Sequence, residues 1–187
     1  GIDLVSVTTK AIAVRRAAFD EYIKQGGFPE LLNKKNKSRY VNNLVNNILK
    51  RDIAQRHNIK FTETFERLAH HLMNVAPTVV NESELANIVG LKSSHTVNNY
   101  VSFLKEAYLL LGLKKYSTKS RLRIRAEKVY PVDIALMDGR QDAFAGENIG
   151  WRLETLVYIE LLRRNRHLGR DIYYYRNVAG FEADFVV

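Results

Sequence analysis

The most informative local pattern in the sequence is ESELANIVGL at Glu82–Leu91, followed by TVNNYVSFL at residues 96–104. Ala86 is small where two helices must cross closely, and Gly90 permits a left-handed turn between them. Two short helices joined at a steep angle by a glycine turn are the signature of the helix-turn-helix. We therefore predict two separate helices here. The apolar positions of their shared core are Leu85, Val89, Val97, Tyr100, Val101 and Leu104.

In a helix-turn-helix, the start of the second helix faces the major groove of DNA. Short polar side chains there can reach base edges or phosphates. We expect a two-stranded wing to follow, with strands over Leu109–Tyr116 and Lys128–Val132 around a basic loop suited to phosphate contact. Because Tyr116 is the one aromatic residue beside that loop, duplex DNA is favoured over single strands. The predicted DNA-binding residues are Ser94, His95, Thr96, Asn98, Asn99, Lys114, Lys115, Lys119, Arg121, Arg123, Arg125 and Lys128.

The remaining pattern predicts an α+β chain. Helical spacing of apolar residues predicts helices over 10–25, 38–58 and 62–75, and a last helix over 150–164. In the first of these, Ile12, Phe19, Tyr22 and Ile23 lie at helical spacing on one side. Two apolar strands are predicted over Ile172–Arg176 and Phe181–Val187.

Composition narrows the setting. The chain has 187 residues, a formal net charge of +9 and no cysteine. Without cysteine there are no disulfides, which favours a reducing, cytoplasmic location. The apolar runs are too short to cross a bilayer, so we expect no membrane association. A strongly basic chain favours a polyanionic partner, of which nucleic acid is the common one, although a basic surface can also be merely solvated.

Two carboxylates near the end are candidates for metal chemistry. Glu154 lies on the last predicted helix and Asp184 in the last predicted strand. Acids converging from a helix and a strand can hold Mg²⁺, which could activate water for attack on a phosphate. The alternative is that Glu154 is a solvated residue of an amphipathic helix. His70 and His71 diverge by about 100° around a helix and cannot easily share an ion.

Several motifs that are each weakly specific occur in an order that is more specific than any one of them. They are QGGFPE at residues 25–30, Arg51-Asp52-Ile53, the helix-turn-helix with Tyr100, ETLVYIEL at 154–161, Tyr174-Tyr175-Arg176 and GFEADF at 180–185. Together they resemble the C-terminal region of a prokaryotic AAA+ ATPase family, a domain of unknown function. That region resembles a winged helix followed by a restriction-endonuclease-like fold of the PD-(D/E)xK type.

The resemblance implies that ATP and Mg²⁺ bind to another part of the parent protein, an N-terminal AAA+ module. No Gly-x-x-x-x-Gly-Lys-Ser/Thr motif occurs in this chain. We therefore expect this chain to carry no cofactor. Glu154 matches the first-helix acid of the nuclease-like fold and Asp184 its strand acid. The acid-x-Lys pair would lie on a further strand, so the resemblance implies a nuclease-like fold and no cleavage by this chain alone.

The expected domains follow from these assignments. Residues 1–35 would end the ATPase lid and its linker, 36–132 would form the helical and winged-helix domain, and 133–187 the start of the nuclease-like domain. We expect both ends of the chain to be truncations. The expected partners are double-stranded DNA and the AAA+ module of the same protein. Three functions stay open: a DNA- or partner-binding module, a truncated metal-dependent nuclease, and an oligomerisation element.

Overall fold

The computed structural model describes residues 8–117, 127–137, 149–164 and 172–187. It is α+β, with six α-helices and two small antiparallel sheets among the described residues. The helices are α1 (Thr9–Gln25), α2 (Lys37–Asn47), α3 (Thr62–Val75), α4 (Glu82–Val89), α5 (Ser94–Glu106) and α6 (Ile149–Arg164). The strands are β1 (Thr78–Val79), β2 (Leu110–Lys114), β3 (Glu127–Pro131), β4 (Tyr173–Arg176) and β5 (Glu182–Val186). Within these ranges no helix has the length and apolar character that a membrane span requires.

The predicted helix over 38–58 consists of two parts. The α-helical turns of α2 pass at Ile48 into a π-helical stretch that ends at Ala54. Buried residues recur every fourth position along both parts, at Val41, Val45, Leu49 and Ile53. This row packs into the main core together with α3, α4 and α5. Residues on the opposite side of the same helix therefore face solvent.

The break between α4 and α5 lies where it was predicted. Gly90 ends α4 with φ 74° and ψ 29°, in the left-handed region. A Cβ added there would meet nothing within 4 Å, so the backbone angle and not crowding calls for glycine. Asn81 caps the start of α4 by accepting a hydrogen bond from the Glu84 amide. The six predicted core residues of this helix pair are all buried.

The two sheets lie next to each other. The first has the order β1-β3-β2, with every neighbouring pair antiparallel, and Leu113 opposite Lys128. The second is the β4-β5 hairpin. A parallel bridge between Lys115 and Tyr174 connects them, supported by the Tyr116 amide donating to the Tyr174 carbonyl. The end of β2 is thereby joined to β4.

A second core lies between the sheets and α6. It contains Leu113, Tyr130, Tyr158, Ile172 and Tyr174. The Tyr158 hydroxyl donates to the Gly112 carbonyl at 2.7 Å, which ties α6 to β2. This core takes residues from both sides of the boundary predicted at 132–133, and the domain boundaries themselves stay predictions.

The Gly26-Gly27 pair is explained by close packing. Gly26 has φ 85°, and a Cβ there would lie 2.2 Å from an Asp133 carboxylate oxygen. The Asp133 carboxylate accepts hydrogen bonds from the amides of Gly27 and Ala135. The end of α1 is thus clamped to the loop after β3. On the apolar side of α1, Ile23 is buried whereas Ile12 and Phe19 are about half exposed.

Candidate functional site

The start of α5 presents polar side chains to solvent. Ser94, His95 and Asn98 are exposed, and Thr96 and Asn99 are half-buried. His95 and Asn99 lie one turn apart, with His95 Nδ1 and Asn99 Nδ2 at 3.4 Å. All five predicted residues of this helix therefore lie on one accessible surface. The opposite side of α5 is buried in the core and fixes the position of this surface; its buried residues are Val97, Tyr100, Val101 and Leu104.

The helix pair carries charges of both signs. Lys92 is exposed in the turn just before α5. Glu84 is exposed in the first turn of α4, where its carboxylate accepts a hydrogen bond from the Asn81 amide group at 3.2 Å. Residues 82–106 hold three Glu against two Lys, so a polyanion would have to be attracted mainly by cations outside the helix pair.

The cations of the β2-β3 hairpin have different positions. Lys114 is exposed at the end of β2, and Lys115 is half-buried beside β4. Four predicted phosphate-contacting residues lie outside the described residues. They are Lys119, Arg121, Arg123 and Arg125.

Lys128 lies in the interior. Only 6% of the residue is accessible to solvent. Its ammonium nitrogen lies 2.7 Å from Glu154 Oε1, 2.7 Å from Glu182 Oε1 and 3.4 Å from Asp184 Oδ1. An ammonium enclosed in this way cannot reach a DNA phosphate, so the prediction for Lys128 is corrected. We call these four residues the lysine–carboxylate cluster.

Strand and helix spacing explain how the cluster forms. Lys128 and Tyr130 are two residues apart on β3, so both side chains project from the same face of the sheet. Glu154 and Tyr158 are four residues apart on α6, so both project towards that face. The Tyr130 hydroxyl donates to Glu154 Oε1 at 2.8 Å. The ring centroids of Tyr130 and Tyr158 lie 4.4 Å apart. Glu182 and Asp184 come from alternate positions of β5.

The electrostatics of the cluster favour a charged lysine. Burial alone would lower the pKa of Lys128, but hydrogen bonds to Glu154 and Glu182 and the charges on both carboxylates outweigh it. The net pKa of Lys128 is therefore raised above its ordinary value of 10.5. Burial, together with the hydrogen bond to Glu154, also raises the pKa of Tyr130, so its hydroxyl stays protonated and continues to donate.

The two predicted metal ligands are near each other, but their arrangement does not suit a divalent cation. Glu154 Oε1 already accepts from both Lys128 and Tyr130. A metal on that oxygen would have a ligand distance of about 2.1 Å and would lie close to a buried ammonium, with the repulsion this implies. Among the described residues, no group of three or more His, Cys, Asp or Glu is placed to hold a metal ion. The Lys128 ammonium already contacts one oxygen of each of these acids.

Sequence reasoning placed Lys128 with the loop cations and overlooked its role here. The available signal was the apolar run that follows Lys128: in the strand Glu127–Pro131, every residue from Lys128 onward is buried. Glu182 was visible as an acid beside Asp184, but nothing in the chain indicated that both would meet a lysine 54 and 56 residues away.

Fold and cluster define the chain as an α+β protein in which β3, α6 and β5 enclose a lysine that is paired with carboxylates. By sequence, the chain belongs to the family described as Domain of unknown function (DUF8612), which matches residues 16–142. No solved structure matches the chain.

Two relatives are similar to the chain over most of its length. An uncharacterized protein of Methanocaldococcus jannaschii is 30% identical over 177 residues, which cover 90% of this chain and 38% of that protein. An uncharacterized protein of Haemophilus influenzae is 30% identical over 155 residues, which cover 78% of this chain and 38% of that protein. The chain thus spans well under half the length of these relatives.

Proposed function

We propose that the chain is a duplex-DNA-binding accessory region of a larger AAA+ ATPase. In this proposal α4 and α5 form a helix-turn-helix, and the β2-β3 hairpin is its wing. The observation that carries the proposal is the exposed polar start of α5, which follows a left-handed turn at Gly90 and rests on buried Val97. Helix pairs with this geometry place the start of the second helix in the major groove.

The rest of the interface is proposed from charge. Lys114 and Lys115 precede the hairpin loop, and Lys119, Arg121, Arg123 and Arg125 belong to the loop itself. Cations at this position would contact phosphates on either side of the groove that α5 enters. Lys128 is left out of the interface, because its ammonium is held by three carboxylates.

The larger protein is proposed from two facts. The chain spans 38% of each of two relatives, so these relatives have room for a further module. The motif order resembles the tail of an AAA+ ATPase family, in which that module would bind ATP and Mg²⁺. We propose that the AAA+ module is the intramolecular partner of this chain, and that the chain itself holds no cofactor.

For residues 133–187 we propose a nuclease-like fold that does not cut DNA. Glu154 and Asp184, the two acids assigned by resemblance, both contact the Lys128 ammonium. A catalytic metal on these oxygens would lie close to that positive charge. We therefore propose binding, and not hydrolysis, as the activity of this chain.

Changing Asn98 to Glu tests the DNA-binding proposal. Asn98 is exposed and Glu is a better helix former than Asn, so folding should be unaffected. A carboxylate at the start of α5 would repel phosphates and could not donate to a base. We expect the affinity for a 20-base-pair duplex at 0.1 M salt, measured by fluorescence anisotropy, to fall about tenfold, a loss of about 1.4 kcal/mol.

The matched control is Val178→Glu. Val178 is fully exposed in the turn between β4 and β5, and the substitution changes the net charge by the same amount. Its affinity for the duplex should stay within twofold of the wild type. Equal affinities for the two variants would mean that α5 does not contact DNA.

A further inference from the structure

The segment 33–60, which contains α2 and the π-helical stretch after it, is unusually basic. Residues 33–60 contain eight Lys and Arg against one acid, Asp52, and therefore carry +7 of the chain's net charge of +9. The α5 start and the β2-β3 hairpin lie outside this segment. Most of the net positive charge thus belongs to a part of the molecule that the proposed winged helix does not use.

Two of these cations belong to a regular row along α2 and the π-helical stretch. Arg39, Asn43, Asn47 and Arg51 follow one another at intervals of four residues, and all four are exposed. They alternate with the buried row Val41, Val45, Leu49 and Ile53, so they occupy the opposite side of the helix. We call Arg39, Asn43, Asn47 and Arg51 the outer row.

The two arginines of the outer row are available to a ligand. Neither Arg39 nor Arg51 forms an ion pair with another residue in the described ranges, whereas Lys50 pairs with Glu66 at 3.7 Å and Lys37 pairs with Glu21 at 3.7 Å. Arg56 and Lys60, which follow the helix, are also exposed. A guanidinium without a carboxylate partner is suited to bind phosphate oxygens in a bidentate manner.

The dimensions fit a duplex. Twelve residues of helix separate Arg39 from Arg51, which corresponds to about 18 Å along the axis. The major groove of B-DNA is about 12 Å wide and admits an α-helix. Arginines at the two ends could therefore reach phosphates on both edges of the groove, while Asn43 and Asn47 between them face base edges, where asparagine pairs well with adenine.

We propose that the outer row of α2 is a second contact surface for duplex DNA, separate from α5 and the hairpin. The arginines bind phosphates and the two asparagines face the groove. An acidic protein would satisfy the arginines as well, but it would give no role to a row of asparagines on the same side. The proposal does not depend on the helix-turn-helix, because it rests on different residues.

The test compares two double variants. Arg39→Gln/Arg51→Gln removes the proposed phosphate contacts. Lys10→Gln/Arg16→Gln removes two exposed cations from α1 and serves as the control for net charge. Affinity for a 20-base-pair duplex is measured by fluorescence anisotropy between 0.05 and 0.3 M salt. We expect the salt slope of the first variant to decrease by about 2 and that of the control to be unchanged.

A third variant probes the asparagines. Asn43→Glu/Asn47→Glu should keep the helix, because Glu has the higher helix propensity, and should lower duplex affinity more than tenfold at 0.1 M salt. Circular dichroism confirms that the helix content is retained. Failure of the surface is distinguishable from failure of α5: if Asn98→Glu weakens binding and both α2 variants match the wild type, the outer row is not a DNA surface.

Competition identifies the partner class. Unlabelled duplex should displace the labelled duplex from the wild type, whereas poly-glutamate at the same charge concentration should not. Displacement by poly-glutamate that is as strong as displacement by DNA, and that is lost in Arg39→Gln/Arg51→Gln, would overturn the assignment to DNA in favour of an acidic protein partner.

Discussion

Lys114 and Lys128 lie on the two strands of one hairpin, yet the structure places them in opposite environments. Lys114 ends β2 and is exposed, whereas Lys128 on β3 is enclosed by Glu154, Glu182 and Asp184. In sequence both belong to one basic region around residues 114–128. A cluster of cations in a sequence can therefore contain members with unrelated roles. The face of the sheet from which each side chain projects decides which cations remain available for a ligand.

The largest effect is expected from removing the buried lysine. Lys128→Met keeps much of the side-chain volume but leaves three carboxylates facing one another without a cation. Removing one partner of a buried ion pair costs about 3–5 kcal/mol, and we expect the lower end, about 3 kcal/mol, because Asp184 is half exposed. The free energy of unfolding is measured by urea titration.

Lys114→Met is the matched control for that experiment. An exposed substitution on the neighbouring strand should change the free energy of unfolding by no more than about 0.5 kcal/mol. Similar losses of stability in both variants would contradict the conclusion that Lys128, unlike Lys114, stabilises the fold through its carboxylate partners.

A smaller effect is expected from pH. The pKa of Lys128 is raised in the folded chain, so its stabilising contribution is complete below its ordinary pKa of 10.5 and declines as the pH rises above that value. The stability difference between the wild type and Lys128→Met should therefore be constant from pH 7 to 9.5 and shrink towards pH 11. Urea titrations across that range measure it, and a difference that grows with alkaline pH would contradict the assignment.

Much of the fold was predictable because local rules dominate there. The helix over 62–75, the break at Gly90 and the core residues of α4 and α5 follow from periodicity and turn chemistry. The π-helical end of α2 was not predictable, because the same row of buried residues satisfies either helix type. Phe19 on α1 is about half exposed. Periodicity identifies an apolar side of a helix without saying what covers it.

In the candidate site, too, features that depend on one local element were predictable, and features that join distant elements were not. The polar start of α5 could be predicted because it depends on one helix and its turn. The lysine–carboxylate cluster could not, because it joins β3, α6 and β5 and requires knowing which strand face meets the helix. The helix and strand positions of Glu154 and Asp184 did suggest that the two acids form a pair, but the pair was assigned to a metal and not to Lys128.

We propose that the cations of the hairpin loop bind duplex DNA while the buried Lys128 does not. The salt dependence of duplex affinity in Arg121→Ala/Arg123→Ala/Arg125→Ala, three loop residues outside the described ranges, tests this proposal. If these arginines contact phosphates, the slope should decrease by up to about 3, with weaker binding at every salt concentration. An unchanged slope and affinity, or a wild type that binds no duplex at low salt, would contradict the claim.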